Sequence, residues 1–321
     1  MFGKRADGRV VKNMHIIDRA MPYFMPQRID AVNLFAQDWN VASAEQFILD
    51  AKKETGVHYS LTEIVLAAAV RMLYERPKTN RFINNCKVYQ RNRITISMSV
   101  KKTLKDDGEE MTLKMYFTGR ESLPEVKKIF ENEIAVNMKA ADESHQTTKT
   151  AGALGKLPGW MFKFAMWLFR FMDRHDMLPA KLIHISPFHT SMWVTDLRSI
   201  KLDKIYHHLY NFGNSSIFTS IGKANYVPVA NRDGEVKVEK HIKLGFSLDD
   251  RICDGLYYGN SVRHHFLKYI NNPELLMQPL PEPELSGKEL KRKQKADKKL
   301  AKRLAKKEKQ DAKRLAEAEE K

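Results

Sequence analysis

Three carboxylates and a guanidinium fall within seven residues of this chain, in the run Asp249-Asp250-Arg251-Ile252-Cys253-Asp254-Gly255. Like charges this close disfavour one another's ionised form, so burial beside Asp249 and Asp254 is expected to raise the pKa of Asp250. A carboxyl tuned in this way is a candidate proton acceptor. Cys253 is a poor nucleophile, because Arg251 is the only cation beside it to favour a thiolate. His189 and the pairs His207-His208 and His264-His265 are alternative bases, and each reads equally as a surface or hydrogen-bonded structural histidine. His189 is the first choice among them, since the hydroxyl of Thr195 follows six residues later. The bland alternatives are an acidic turn at 249–255 and an ordinary strand threonine at 195.

The bulk composition limits what these residues belong to. With 321 residues, 43% of them apolar and 10% aromatic, the chain is long enough for a sizeable core, as one large domain or two small ones. Two cysteines far apart, Cys86 and Cys253, give neither a disulfide framework nor a metal site, and no metal is expected. They fit a reducing cytoplasm, and the first residues hold no apolar run of signal-peptide length. The net charge of +16 points first to nucleic acid. Its distribution argues otherwise: between Lys288 and Lys321 the basic residues outnumber the acidic 15 to 7, half of the whole excess.

The elements that must position the candidate residues follow from patterning. Residues 1–13 read as a polar lead-in. A strand is expected over 33–41, and Ser43 as the cap of a helix over 44–54. Ser60 and Glu63 have capping-box spacing ahead of a buried helix over 64–74, which stops before Pro77. Alternation over 88–102, the turn Asp106-Asp107-Gly108 and a strand over 111–117 predict a hairpin. A helix follows over 123–139, with Pro124 in its first turn, and then a mobile polar loop over 140–156. Residues 157–172 are apolar nearly all round, broken only by Lys163 and Arg170, and are too short for a membrane span. That segment is a helix buried in the core or a subunit interface, a membrane-surface helix, or the wall of an acyl channel.

Strands are expected over 191–197, 217–221, 227–230 and 236–248, the last two joined as a hairpin by Asn231 to Gly234. A helix over 256–270 closes at Asn271-Asn272-Pro273. Residues 278–287 form a Pro-rich, extended linker. The tail over 288–321 favours helix or disorder, and its leucines at 290, 300, 304 and 315 keep no heptad register. An acidic partner, nucleic acid or an anionic membrane would suit its charge, yet no base-reading motif is present, so specific nucleic-acid recognition is not expected.

The run at 249–255 resembles the D-H-R-x-x-D-G signature of the chloramphenicol acetyltransferase-like superfamily, which includes the catalytic domain of dihydrolipoamide acyltransferases. Asp250 stands where that signature has its histidine. Further similarities follow in order: Thr62 to Val70 to a buried helix, Pro77 to Asn80 to a P-x-x-N turn, Ile94 to Val100 and Met192 to Leu197 to two strands, and Phe266 to Leu276 to a closing helix. Together they cover about residues 14–277 as one catalytic domain. The resemblance implies an α/β fold, a two-layer sandwich of mixed sheet and helices.

The resemblance also implies a reaction. It passes an acyl group between coenzyme A and a small thiol or other acceptor, at a site between subunits of a homotrimer. Thr195 takes the place of the hydroxyl that stabilises the oxyanion, Asp250 that of the general base, and Asp254 that of a second acid holding the site through a buried charge contact. Arg251 and Gly255 keep structural positions, Gly255 allowing a tight turn. No lipoyl group is expected on this chain, because no lipoyl domain precedes the catalytic region. A thiol titrates near 8.5, His near 6.5 and Asp near 3.9, so an unshifted Asp is a base weaker than His by about 3.5 kcal/mol. The alternative is a non-catalytic, oligomeric binding or scaffold protein on the same fold.

Overall fold

A computed structural model of the protein describes residues 5–101, 110–142 and 158–281. The turn expected at 106–108, most of the loop at 140–156 and nearly all of the linker and tail lie outside the described residues.

The centre of the fold is α3 (Leu61–Glu75), which runs Leu-Thr-Glu-Ile-Val-Leu-Ala-Ala-Ala-Val-Arg-Met-Leu-Tyr-Glu. Apolar side chains on every face leave it no solvent side, and Ile64 through Val70 are completely buried. Its start is fixed as expected: the Ser60 side chain accepts from Glu63 N, while the Glu63 carboxylate accepts from Ser60 N.

A six-stranded mixed sheet packs against this helix. Its members are β2 (Val32–Asn40), β5 (Ile94–Lys101), β6 (Glu110–Phe117), β7 (Met192–Asp196), β8 (Ile217–Ala230) and β9 (Val236–Asp249), in the spatial order β2-β9-β8-β7-β5-β6. Alternation sets the two faces. Ile96, Met98, Met192, Val194, Ile217, Leu244, Phe246 and Leu248 point to the helical side and complete the main core. Trp193 and Phe218 point the other way, into a smaller cluster with Leu209 that is covered by the crossing between β7 and β8. This crossing lies close: a Cβ on Gly245 would stand 2.5 Å from Ile205 O.

α2 (Ala42–Thr55), α4 (Leu123–Asp142) and α7 (Gly255–Ser261), which continues through a π turn into α8 (Leu267–Asn271), lie in order along the chain. The start of α2 differs from expectation. Asn40 Oδ1 accepts from Ala42 N, and Ser43 lies inside the first turn, donating to Asn271 O.

A second sheet of three short strands, β1 (Gly8–Val10), β4 (Lys87–Arg91) and β3 (Arg81–Asn84), has the order β1-β4-β3. It corrects two expectations. The lead-in contains a paired strand, and the single strand expected over 88–102 is two strands in different sheets, broken at Asn92 and Arg93. α1 (Ile16–Phe24) carries Pro22 within it, and the sequence reading missed it.

The segment expected over 157–172 is α5 (Gly159–Arg174), followed by α6 (Ala180–Ile185). It is not a core helix. Trp160 is 72% exposed, and Phe162, Phe164, Trp167, Leu168 and Phe171 are exposed as well. What holds it is its C-terminal end, where Asp173 meets Arg5 Nη1 at 2.8 Å and Tyr89 donates to Asp176 Oδ2 at 2.7 Å.

Candidate functional site

The 249–255 turn follows β9 directly. Asp249 is fully buried and receives two charge-assisted bonds from Arg251, Nε to Oδ1 and Nη2 to Oδ2, each 2.8 Å long. Arg28 Nε adds a longer contact of 3.6 Å. Arg251 Nη1 also donates to Met25 O at 2.8 Å, tying the turn to the segment after α1. Arg251 thus has Asp249 as its main partner.

That pairing changes the role of Asp254. It is exposed and makes no buried charge contact. Its carboxylate caps α7, accepting from Tyr257 N at 2.8 Å. Gly255, the first residue of α7, has no positive φ, and a Cβ there meets nothing within 4 Å. The fold of the chain does not require glycine at this position. Sequence reasoning gave Asp249 no part beyond its charge on Asp250, and its spacing of two residues from Arg251 was the available signal.

Between the paired residues, Asp250 is half-buried. Its backbone N donates to Ala31 O, and its Oδ1 accepts from Asn33 Nδ2 at 2.6 Å. Oδ2 makes no hydrogen bond among the described residues. Partial burial, then the charges of Asp249 and Asp254, raise its pKa above the usual carboxylate range, as their proximity in sequence had suggested. The Cys253 thiol is pushed up to about 12, first by burial and then by Asp254, so it is inert at neutral pH.

Thr195 occupies β7 on the face of the sheet shared with Trp193. It lines a cleft of about 530 Å³ together with Ser99, Val100, Lys101, Leu197 and Ile200. Its hydroxyl makes no hydrogen bond among the described residues, so it is available to a ligand. The neighbouring Asp196 turns to the opposite face, where Arg198 Nε and the Thr62 hydroxyl donate to its carboxylate. These bonds outweigh its burial and hold it below the usual range. Arg198 and Asp196 thus form a fixed rim beside the free hydroxyl.

The strand register separates Thr195 from Asp250. Met192 pairs with Ile217 and Ile217 with Leu248, whereas Thr195 pairs with Ser220 and Ser220 with Gly245. Asp250 therefore lies level with Thr190, five residues along and two strands across from Thr195, a separation of about 19 Å. Within one chain the two groups cannot act on one atom.

His189, the expected substitute base, sits among protein partners. Its side chain is fully buried, with Nδ1 2.8 Å from Ser186 Oγ and Nε2 3.3 Å from Asp173 Oδ1. Both ring nitrogens face protein partners. His207 stacks on Phe218 and His208, and His265 pairs with Glu75, so neither is poised over the Thr195 cleft. Among the described residues no group of three His, Cys, Asp or Glu side chains is placed to hold a metal ion.

No protein-family model matches the sequence, and no curated protein does. Solved structures do match in shape. The cubic core of the pyruvate dehydrogenase multienzyme complex is 12% identical, covers 84% of this chain and 94% of its own, and superposes with a TM-score of 0.50. A probable dihydrolipoamide acetyltransferase from Listeria monocytogenes is 13% identical over 81% of this chain and 93% of its own, with a TM-score of 0.49. A chloramphenicol acetyltransferase is 13% identical over 84% of this chain and 99% of its own, with a TM-score of 0.42. The fold is the one seen in the cubic core of the pyruvate dehydrogenase complex. Its mixed sheet and helices are the two-layer α/β sandwich expected from the sequence.

Proposed function

We propose that the protein is an acyltransferase that moves an acyl group between coenzyme A and a small thiol or other acceptor. It acts as a homotrimer whose sites lie between subunits. The observation that carries this reading is the divided site. Thr195 offers an unengaged hydroxyl in a cleft, Asp250 offers a free carboxylate oxygen at the far end of the sheet, and the two are about 19 Å apart in one chain. A neighbouring subunit that brings its Asp250 to the Thr195 cleft completes a base and an oxyanion donor. The cubic core of the pyruvate dehydrogenase complex, which shares this fold, supports the choice of an assembling protein.

In this reading Asp250 Oδ2 accepts the proton of the attacking thiol, and the thiolate adds to the thioester carbonyl. The Thr195 hydroxyl donates to the oxygen of the tetrahedral intermediate, which collapses with release of the coenzyme A thiolate, and that thiolate takes up the proton. The raised pKa of Asp250 narrows the gap to a thiol near 8.5 and recovers part of what the missing histidine would supply. Coenzyme A is the expected co-substrate, with no metal.

A second reading has its own support. Asn33 holds one oxygen of Asp250 at 2.6 Å, and Asp is shorter than His, both of which suit a disarmed site that binds without turnover. Thiol release from acetyl-coenzyme A, with dihydrolipoamide as acceptor, separates the two readings. Native turnover that falls in Asp250→Ala establishes the enzyme. A silent native protein that gains activity as Asp250→His establishes the binding protein. Silence in all three proteins overturns the acyl-transfer reading for this donor and acceptor.

A further inference from the structure

A cavity of about 320 Å³ opens between β1, the turn joining β4 to β5, β6 and α6, away from both candidate residues. Four cations line it: Arg9, Arg91, Arg93 and Lys114. Asp7 is the one carboxylate among the lining residues, and it is already engaged. Arg5 donates to both its oxygens at 2.9 and 3.1 Å, and Asn214 Nδ2 adds a bond of 2.7 Å.

The inner cations are short of negative partners. Arg91 is buried, its guanidinium over the Phe82 ring and its Nη2 donating to Asn214 O and Oδ1, while its Nε is buried without a hydrogen-bond partner. Lys114 Nζ donates to Ile183 O at 2.7 Å and Ser186 O at 2.6 Å, which leaves one of its three protons. Neither cation has a carboxylate within 4 Å among the described residues. Burial lowers Lys114 to about 7 and Arg91 to about 9, the charge of Asp7 offsetting only part of it. Thr95, Asn92 and Tyr116 complete the wall; Asn92 Nδ2 donates to Ala6 O at 3.1 Å and the Tyr116 hydroxyl to His184 O at 3.2 Å.

We propose that this cavity binds a phosphate group, with Lys114 and Arg91 at its floor and Arg9 and Arg93 at its mouth. The group is carried by free phosphate or by a small phosphate ester, for whose organic part the volume leaves room. Thr95 lies on β5 four residues before Ser99 of the Thr195 cleft, about 13 Å away, so this is a separate site on the same sheet face.

Isothermal titration with inorganic phosphate and with glycerol 3-phosphate tests it, on the native protein, Lys114→Met and the exposed variant Arg93→Ala. Saturable binding that weakens at least tenfold in both variants is the expected result. A tighter ester identifies the ester as the ligand, and a tighter inorganic anion identifies the free ion. Absence of binding, or binding that survives both substitutions and so belongs to the basic tail, overturns the proposal.

A different observation carries a second proposal. Trp160, Phe164, Trp167 and Phe171 form an exposed ridge along α5, with Trp167 stacked against both phenylalanines. Lys163, Arg170 and Arg174, spaced seven and four residues apart, form an exposed stripe beside it. The single acid of the helix, Asp173, is buried against Arg5. A two-fold dimer through this face would set cation against cation. No described helix is long and apolar enough to cross a membrane.

We infer that α5 lies in the surface of an anionic membrane, aromatic rings among the acyl chains and cations at the headgroups. Co-sedimentation with phosphatidylglycerol vesicles and with phosphatidylcholine vesicles tests this on the native protein, Trp167→Ser/Phe171→Ser and Lys163→Glu/Arg170→Glu. Binding to the anionic vesicles alone, lost in both variants, is expected. No binding to either vesicle, or variants that keep binding or change only the oligomeric state, overturns it.

Discussion

Asp249 and Arg251 close on each other through two parallel 2.8 Å hydrogen bonds, and the side chain of Asp250 between them is left out of the pair. A fully buried carboxylate in this geometry is costly to strand. Arg251→Met removes its main counter-ion and leaves only Arg28 at 3.6 Å. The expected loss is about 3 kcal/mol of folding free energy, read as a lowered urea midpoint. Asp250→Asn, one residue away, should change stability by no more than about 0.5 kcal/mol. Equal losses in the two variants would contradict the division between a structural and a free carboxylate.

The Thr195 hydroxyl has no intramolecular duty, so its removal should be felt in the reaction and not in the fold. Thr195→Val is expected to keep the native melting temperature while kcat falls about 100-fold or more, and Thr195→Ser should retain activity. The distance to Asp250 adds a sharper test. Thr195→Val and Asp250→Ala, each inactive alone, should recover roughly a quarter of native activity when unfolded and refolded together if the proposed trimer shares its sites between subunits, because mixed assemblies then regain intact sites. A mixture as inactive as its parts would mean that one subunit supplies both groups or that neither acts.

Much of this was legible in the sequence where local physics decides. Ser60 and Glu63 announced the start of α3, and the Asn231 to Gly234 turn announced the hairpin of β8 and β9, since both signals are complete within a few residues. The break at Asn92 and Arg93 was not legible, because alternation continues on either side while the partners change from β1 and β3 to β6 and β7. α5 was ambiguous for a related reason: apolar residues all round a helix look the same whether protein or solvent surrounds it. Asp254 is an N-cap within the chain, and an N-cap and a buried ion pair ask for the same residue. Only the placement of Arg251 beside Asp249 tells them apart.

Acid should loosen the N-terminal corner first. Against its burial, the bonds and charge of Arg5, the charge of Arg91 and the bond from Asn214 hold Asp7 at about 2, against 3.8 for the free group. A folded pKa below the unfolded one means that the unfolded state binds more protons between the two values. The stability from Asp7 is therefore complete above about pH 4 and is lost as pH falls through about 2, a contribution of about 2 kcal/mol. Asp173, also lowered by His189 and Arg5, changes in the same direction. Arg5→Met should lower stability at pH 7 and flatten the pH dependence below 4, measured by urea unfolding at stepped pH. A dependence as steep as that of the native chain would place the acid-sensitive carboxylates elsewhere.

Two glycines give opposite expectations. Gly213 has φ of +82°, and a Cβ there would stand 2.3 Å from Phe188 O, a carbonyl that already accepts from Asn214 N and Ser215 N. Gly213→Ala combines a left-handed backbone penalty with a main-chain clash, at a cost of about 2 kcal/mol or more. Gly255 begins α7 with open space around it, so Gly255→Ala should leave the melting temperature within a degree or two, equivalent to about 0.5 kcal/mol. If Gly255→Ala also abolishes turnover without unfolding the protein, the space is needed by a substrate or a neighbouring subunit. Its glycine then answers to assembly or binding, and not to the turn that the sequence pattern implied.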